Sequence, residues 1–272
     1  MMMAYRKGNQ IVGFTPSFLP FQAMFHLVMI LVRAVDWLFF RIRIHGSRML
    51  RECPRAILVS NHTLLFDPAV IAHSLGRRRT YFTMLEETAL IPYLGTFVRL
   101  LGAIPIPEGA GSMLSLETAA RRAIHEMGFL HFFPEGECYH WSQDIQPFRP
   151  GAFLLACRLG LPVIPLTTVL HERRWRGRSS VRVLGRTVRI PPVVTVVIGR
   201  PIHPPLPAGG GDDLHSMRGL ALRMAADVRR TMQDTVDRLG GSREIYRGRM
   251  PRLVKKPHPG EPESRLQRAR AM

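Results

Sequence analysis

A chain of 272 residues with 46% hydrophobic content can bury a sizeable core in one domain of moderate size, which excludes a wholly disordered polypeptide. Its formal charge of +18, supplied mainly by arginine, calls for an anionic partner or surface. The three cysteines, Cys53, Cys138 and Cys157, are odd in number and match no zinc spacing, so neither a disulfide framework nor a structural metal is expected.

The start, "MMMAYRKGNQ", is basic but is followed by no small-residue cleavage site, so no cleavable signal peptide is expected. Phe18 to Phe40 is the most apolar stretch and is about long enough to span a bilayer. His26, Arg33 and Asp36 interrupt it, and central charges are costly in hydrocarbon. Trp37 and the basic "RIRIHGSR" suit a membrane interface. An interfacial or re-entrant helix is therefore preferred to a span, with a buried amphipathic helix as the bland alternative.

Further along, "RIRIHG" reads as a short strand and "RAILVSNH" as a buried one. "DPAVIAHSLG" reads as a helix stopped at Gly76. "RRRTYFTML" is a strand, and "IPYLGTFVRLLGAIPI" holds a short helix, a turn at Gly102 and a strand. "SMLSLETAARRAIHEMG" is a helix, "FLHFFPEGE" a buried strand entering a turn, and "GAFLLACRLG" a helix. "LPVIPLTTVL" and "VVTVVIGRPI" are strands, and "LHSMRGLALRMAADVRRTMQDTVDRL" is a long amphipathic helix. Strands alternating with helices give an α/β domain with a mixed, partly parallel central sheet flanked by helices. Residues 1–45 form an apolar, membrane-associating helical segment, 46–240 the main domain, and 241–272 a basic, flexible tail.

His62 and Asp67 sit in an otherwise apolar run, where a strand hands over to a helix. A histidine base needs a partner that fixes its tautomer and stabilises imidazolium, which Asp67 can supply. A separation of five is poor for one helix face, so the pair meets only if His62 lies on the turn before the helix. Taken alone, that spacing favours an unrelated or merely structural pair over a catalytic one. "FFPEGE" again sets a polar turn after a buried strand, with Glu135 held between Pro134 and Gly136. A third strand is read as ending at "LPVIPL", which gives three strand ends on one shared edge.

The order of these runs resembles the glycerolipid acyltransferases, best known as 1-acylglycerol-3-phosphate acyltransferases. "NHTLLFD" looks like their NH-x4-D block, "GAIPIPE" like the second block, "FPEG" with the following "PFRPGAF" like the third, and "LPVIPL" like the fourth. The resemblance covers the chain from about residue 40 to about residue 205. It implies transfer of a fatty acyl group from acyl-CoA or an acyl carrier protein thioester to the hydroxyl of a lysolipid-type acceptor. His62 would be the general base and Asp67 the residue that orients it. Asn61, Gly102, Pro105, Glu108, Phe133, Pro134, Glu135, Gly136, Glu137 and Pro165 would line the substrate site. No cofactor, metal or nucleic acid is expected. The expected partner surface is an anionic membrane, with the active site at its cytoplasmic face.

Two departures stand out. Phosphate-acceptor members carry an arginine at the end of the second block, where this chain has Glu108, and another in the third, where "FPEGECYH" has Glu137 and Cys138. Arginine is the natural bidentate partner of a phosphate monoester, so the acceptor expected here is neutral, zwitterionic or amine-bearing. Cys138 with His140 suggests a thiol–imidazole pair, but an i, i+2 pair rarely faces correctly, and a turn packed near the site is the plainer reading. The basic run from His171 to Arg186 fits a hairpin facing lipid headgroups or coenzyme A phosphates, solvated charge, or nucleic acid. The competing class is a non-catalytic basic module that binds membrane or nucleic acid on a decayed acyltransferase fold.

Overall fold

A computed structural model of the chain describes residues 27–34, 36, 41–91, 93, 95, 98–99, 101–106, 112–183, 186–204 and 214–251. Its centre is a sheet of seven strands: β1 (Arg43–His45), β2 (Ala56–Ser60), β3 (Tyr81–Leu85), β4 (Ala103–Ile106), β5 (Phe129–Phe132), β6 (Val163–His171) and β9 (Val193–Ile198). They lie in the order β1-β9-β6-β2-β5-β3-β4. Every neighbouring pair is parallel except β6 with β9. The sheet is therefore mixed and mostly parallel, as the alternating pattern predicts.

Parallel strands need helical crossovers, and these cover both faces of the sheet. Successive residues of β2 alternate between the two cores. Ile57 and Val59 join Leu116 and Ala120 of α4 (Ser112–Met127), Phe153 of α5 (Gly151–Leu159) and Val228 and Met232 of α6 (Leu214–Arg238). Ala56 and Leu58 face Leu50 of α1 (Arg48–Glu52) and Val70 and Ile71 of α2 (Asp67–Ser74). With both faces covered, every residue of β2 is buried. A short helix, α3 (Glu86–Ala89), follows β3 directly.

Glycines end the helices where the sequence places them: Gly128 and Gly160, just past α4 and α5, both have left-handed φ. Gly46 shows what such a position can enforce. Its φ is +80°, and a Cβ there would meet the Ile198 carbonyl oxygen at 2.1 Å, backbone against backbone. We expect Gly46→Ala to destabilise the protein by about 2 kcal/mol or more, since the left-handed conformation alone costs about 1–2 kcal/mol. A thermal melt lowered by several degrees is the readout.

The run "LPVIPL" begins β6 rather than ending a strand. Val163 pairs with Ile57 and Leu166 with Ser60, so Pro165 lies within the sheet, below the edge where β2 ends. The periodicity correctly indicates a strand but carries no direction relative to neighbours. The basic run forms an antiparallel hairpin, β7 (Ser180–Val183) with β8 (Arg186–Arg189), and β8 is wholly exposed.

The segment read as a mobile tail starts differently. Residues 241–251 are held against the loop that follows β5. Arg247 N–H donates to the His140 carbonyl at 2.9 Å, and Met250 N–H to the Cys138 carbonyl at 2.9 Å. Arg249 pairs with Glu137 at 2.9 Å, and the Arg247 guanidinium lies over the Trp141 ring. Composition suggested mobility; main-chain hydrogen bonds and ion pairs to a distant loop override it. Of the expected N-terminal segment, residues 27–34 are helical. Among the described residues no helix is long and apolar enough to cross a membrane.

Candidate active site

The carboxyl ends of the parallel strands share one edge, where open α/β sheets place their sites. β2 ends at Ser60, and the chain turns through Asn61 and His62 before α2 begins at Asp67. Pro68, in the first turn of α2, suits that start, where its missing N–H costs nothing. The turn brings His62 Nδ1 within 2.8 Å of Asp67 Oδ2. The same oxygen accepts the N–H groups of Thr63 at 2.6 Å and Leu64 at 2.8 Å. Asp67 is fully buried, so three donors on one oxygen hold the carboxylate, and it in turn holds the ring. Its other oxygen, Oδ1, has no hydrogen-bond partner.

Neighbouring strands fix the turn from both sides. Asn61 spans to β6, donating to the Thr168 carbonyl at 2.9 Å and accepting the Thr168 N–H at 2.8 Å. From β5, Glu135 Oε1 accepts the His62 N–H at 2.7 Å. Glu135 Oε2 accepts the Gln146 N–H at 3.0 Å. Both carboxylate oxygens of Glu135 are thus turned to backbone amides. Burial pushes this carboxyl up to about 7, partly offset by the two N–H donors.

The His62 ring stacks on Phe133, with centroids 4.2 Å apart. Phe133 meets the edge of His131 at 4.5 Å. His131 is fully buried and shares a 2.9 Å hydrogen bond with Ser60. Burial, helped by the nearby His62 charge, pushes its pKa down to about 3, so it stays neutral. Burial also opposes protonation of His62. There the hydrogen bonds from Asp67 and then the Cys138 side chain outweigh it, and the imidazole is pushed up to about 10.

The expected site residues divide into three groups. Asn61, His62, Asp67, Phe133, Pro134, Glu135, Gly136 and Glu137 cluster around the ends of β2 and β5. Gly102 sits at the opposite, amino end of β4, against Tyr81. Pro105 is on β4, three strands from β2 and so roughly 14 Å across the sheet. Neither is brought to His62, nor is Pro165, which pairs with Val59. Glu108 lies outside the described residues. Residue types alone gave no signal for His131, Thr168 or Gln146. Cys138 was considered with His140, whereas its electrostatic effect falls on His62, whose imidazole it helps to raise. Among the described residues no group of three or more His, Cys, Asp or Glu side chains could hold a metal ion.

Residues 41–169 match the family model described as "Acyltransferase". The chain is 28% identical over 184 residues to the human lysophospholipid acyltransferase LPCAT4, a match covering 64% of this chain and 34% of that protein. It is 31% identical over 168 residues to a 1-acyl-sn-glycerol-3-phosphate acyltransferase of Limnanthes douglasii, covering 59% of this chain and 58% of that protein. The match thus spans about a third of LPCAT4 and somewhat over half of the plant enzyme. The fold is shared with the crystal structure of the 1-acyl-sn-glycerophosphate acyltransferase PlsC from Thermotoga maritima. That likeness has a TM-score of 0.53 at 21% identity and covers 82% of this chain and 84% of that one. The matching family segment runs from β1 into β6 and contains the His62–Asp67 turn, so sequence and fold together support the glycerolipid acyltransferase superfamily.

Proposed function

We propose that the protein transfers a fatty acyl group from an acyl thioester, of coenzyme A or acyl carrier protein, to the hydroxyl of a lysolipid at a membrane surface. The observation that carries this reading is the 2.8 Å bond between His62 Nδ1 and Asp67 Oδ2 at the end of a buried parallel strand. With Nδ1 donating to Asp67, Nε2 is the nitrogen free to take the acceptor's proton as its oxygen attacks an acyl carbonyl. Asp67 stabilises the imidazolium so formed. Glu135 acts as a positioning residue through the His62 N–H. No metal or prosthetic group is needed for these steps.

We infer an acceptor with a neutral or zwitterionic headgroup. Phosphate-monoester enzymes carry an arginine in the third block; this chain has Glu137, already paired with Arg249, and Cys138. The test is donor thiol release by the purified protein with palmitoyl-coenzyme A and either lysophosphatidylcholine or lysophosphatidic acid. We expect His62-dependent release, faster with lysophosphatidylcholine. A strong preference for lysophosphatidic acid would sink the acceptor assignment. Equal release from wild type and His62→Ala with every acceptor would sink the acyl-transfer reading.

Membrane attachment is proposed beside α2, at its carboxyl end and in the turn that precedes it. Leu27, Ile30 and Leu31 are 64–68% exposed on one stripe of helix 27–34. Beside them, Arg33, Arg77, Arg78 and Arg79 line a hollow of about 660 Å³ with Met29, Ile30, Ala72 and Gly76. Leu65 and Phe66, both more than half exposed, project from the turn just after His62. Apolar side chains bordered by arginine fit an anionic lipid surface, where each cation contributes about 1 kcal/mol. We expect Arg77→Glu to lower cosedimentation with phosphatidylserine-containing vesicles about 10-fold and to leave binding to neutral vesicles unchanged. An unaltered affinity for the anionic vesicles would remove this surface from the proposal.

A further inference from the structure

We propose that the arginine-rich ribbon following β6 is a second membrane-docking surface, which sets the reaction edge of the sheet down on an anionic bilayer. This rests on the acyl-transfer reading above, because the bilayer is the source of the lipid acceptor. β2 ends at Ser60, opposite Leu166 of β6. β6 runs on from Thr167 to His171, about 16 Å past the end of β2. β9 stays paired with it to the tip, where Val193 lies opposite His171. At the base of this projection Thr168 is bonded to both amide atoms of Asn61, the residue before His62. Residues 172–192 are strung from its outer end, so the ribbon rises from the edge that carries the His62–Asp67 pair.

Its chemistry is one-sided. From His171 to Arg189 the sequence holds seven arginines and one acid, Glu172, which pairs with Arg174 at 2.7 Å. Arg176, Arg178, Arg182, Arg186 and Arg189 are exposed and enter no ion pair among the described residues. Trp175 and Arg178 close a tight turn by exchanging main-chain hydrogen bonds at 2.9 and 3.0 Å. The two residues between them, Arg176 and Gly177, have φ of +49° and +76°, the left-handed pair that suits a two-residue hairpin. This fixed turn holds Trp175, the bulkiest type of side chain, 63% exposed. Beyond it, Val181 lies opposite Val188 on one face of the β7–β8 hairpin. Arg189 opposite Ser180, and Arg182 opposite Thr187, take the other.

A lipid headgroup layer fits this combination. The indole ring is amphipathic and settles at headgroup level, while guanidinium forks match lipid phosphates. A single aromatic does not make a stacking platform for nucleic acid, which takes successive bases on successive rings. Position favours lipid as well. Leu65 and Phe66, exposed on the turn after His62, leave the sheet at the same edge. The ribbon stands beside Asn61 on the neighbouring strand, so contacts at both places bracket the site. The surface along α2 by itself leaves the protein free to roll about that helix. A second contact through the ribbon removes that freedom and turns His62 towards the lipid, so an acceptor can reach the base without leaving the bilayer.

The test titrates the purified full-length protein with phosphatidylcholine vesicles, with and without phosphatidylserine. We expect Arg186→Glu combined with Arg189→Glu to weaken binding to the phosphatidylserine vesicles roughly 30-fold or more, at about fivefold for each cation lost. Wild-type tryptophan emission should be quenched by lipids brominated near the glycerol, and Trp175→Phe should lose most of that quenching. Turnover of vesicle-embedded lysophosphatidylcholine should fall with binding in the paired variant, and turnover of a soluble short-chain lysolipid should stay at the wild-type rate. If the paired variant binds these vesicles like wild type and Trp175→Phe is quenched like wild type, the ribbon does not touch the bilayer and the proposal is wrong. Lost binding to RNA or to acyl carrier protein, with vesicle binding intact, would give the ribbon to that partner and overturn the proposal equally. If ribbon-dependent vesicle binding holds but no thioester turns over with any acceptor, the acyl-transfer reading falls and the docking surface stands.

Discussion

Replacing His62 by alanine should lower acyl transfer by roughly 1000-fold, the middle of the range for removing a positioned acid–base group. That corresponds to about 4 kcal/mol of transition-state stabilisation. The ring is partly exposed and its contacts are a stack on Phe133 and a side-chain bond to Asp67. Its removal should therefore cost little in folding, and a thermal melt close to wild type would separate lost chemistry from lost structure. Asp67→Asn probes the partner. All three donors converge on Oδ2, which an amide oxygen can replace. The NH₂ group would then lie at the buried Oδ1 position, which has no partner. We expect a folded but less stable protein, at least about 100-fold slower, with its His62 titration moved down because the neighbouring negative charge is gone. A variant as fast as wild type would remove Asp67 from the mechanism.

The second large effect is expected at Glu135. Its two oxygens satisfy the N–H groups of His62 and Gln146, both beside the reacting edge. Glu135→Gln keeps one acceptor and should cost about 1–3 kcal/mol of stability; Glu135→Ala strands both amides and should cost roughly twice that. Both variants should also slow catalysis, because the His62 backbone loses its anchor. The pH dependence has a definite sign. Burial raises the folded carboxyl from 4.5 to about 7. Its contribution is fully present below about pH 4.5 and is lost as pH rises through about 7. Melting temperatures of wild type should therefore show a component falling across that window, and Glu135→Gln should lack it. An unchanged profile in the glutamine variant would assign the slope to other groups.

Much of the scaffold is legible in the chain because its signals are local. A β-branched run, a glycine stop and an apolar periodicity each act within one element, so β2, α4 and α5 are readable before any neighbour is known. His62 and Asp67 are legible for the same reason: their five-residue spacing closes over a single turn, once His62 is placed before the helix. What the sequence hides is what depends on partners far along the chain. The register that buries Pro165 beside Val59 is decided by sheet assembly. Gly102 and Pro105 carry a family pattern, yet β4 lies at the far edge of the sheet. Glu135 looks like a substrate contact because it is polar and follows a strand; only the fold shows that amides occupy both of its oxygens. Tyr139 N–H reaches the His62 carbonyl through a return of the loop that no spacing predicts.

The strap formed by residues 241–251 bears on the order in which this protein can mature. The loop holding Cys138, His140 and Trp141 receives its outer hydrogen bonds from residues made long after the sheet strands. A nascent chain halted after α6 would already own its sheet, both cores but for Ile245, and the His62–Asp67 turn. It would lack the Arg247, Gly248 and Met250 backbone bonds that pin the loop, and the Arg249–Glu137 pair. Synthesis would thus deliver a folded protein before it delivered a finished site. Reactivity towards acyl thioesters would be withheld until the strap has docked.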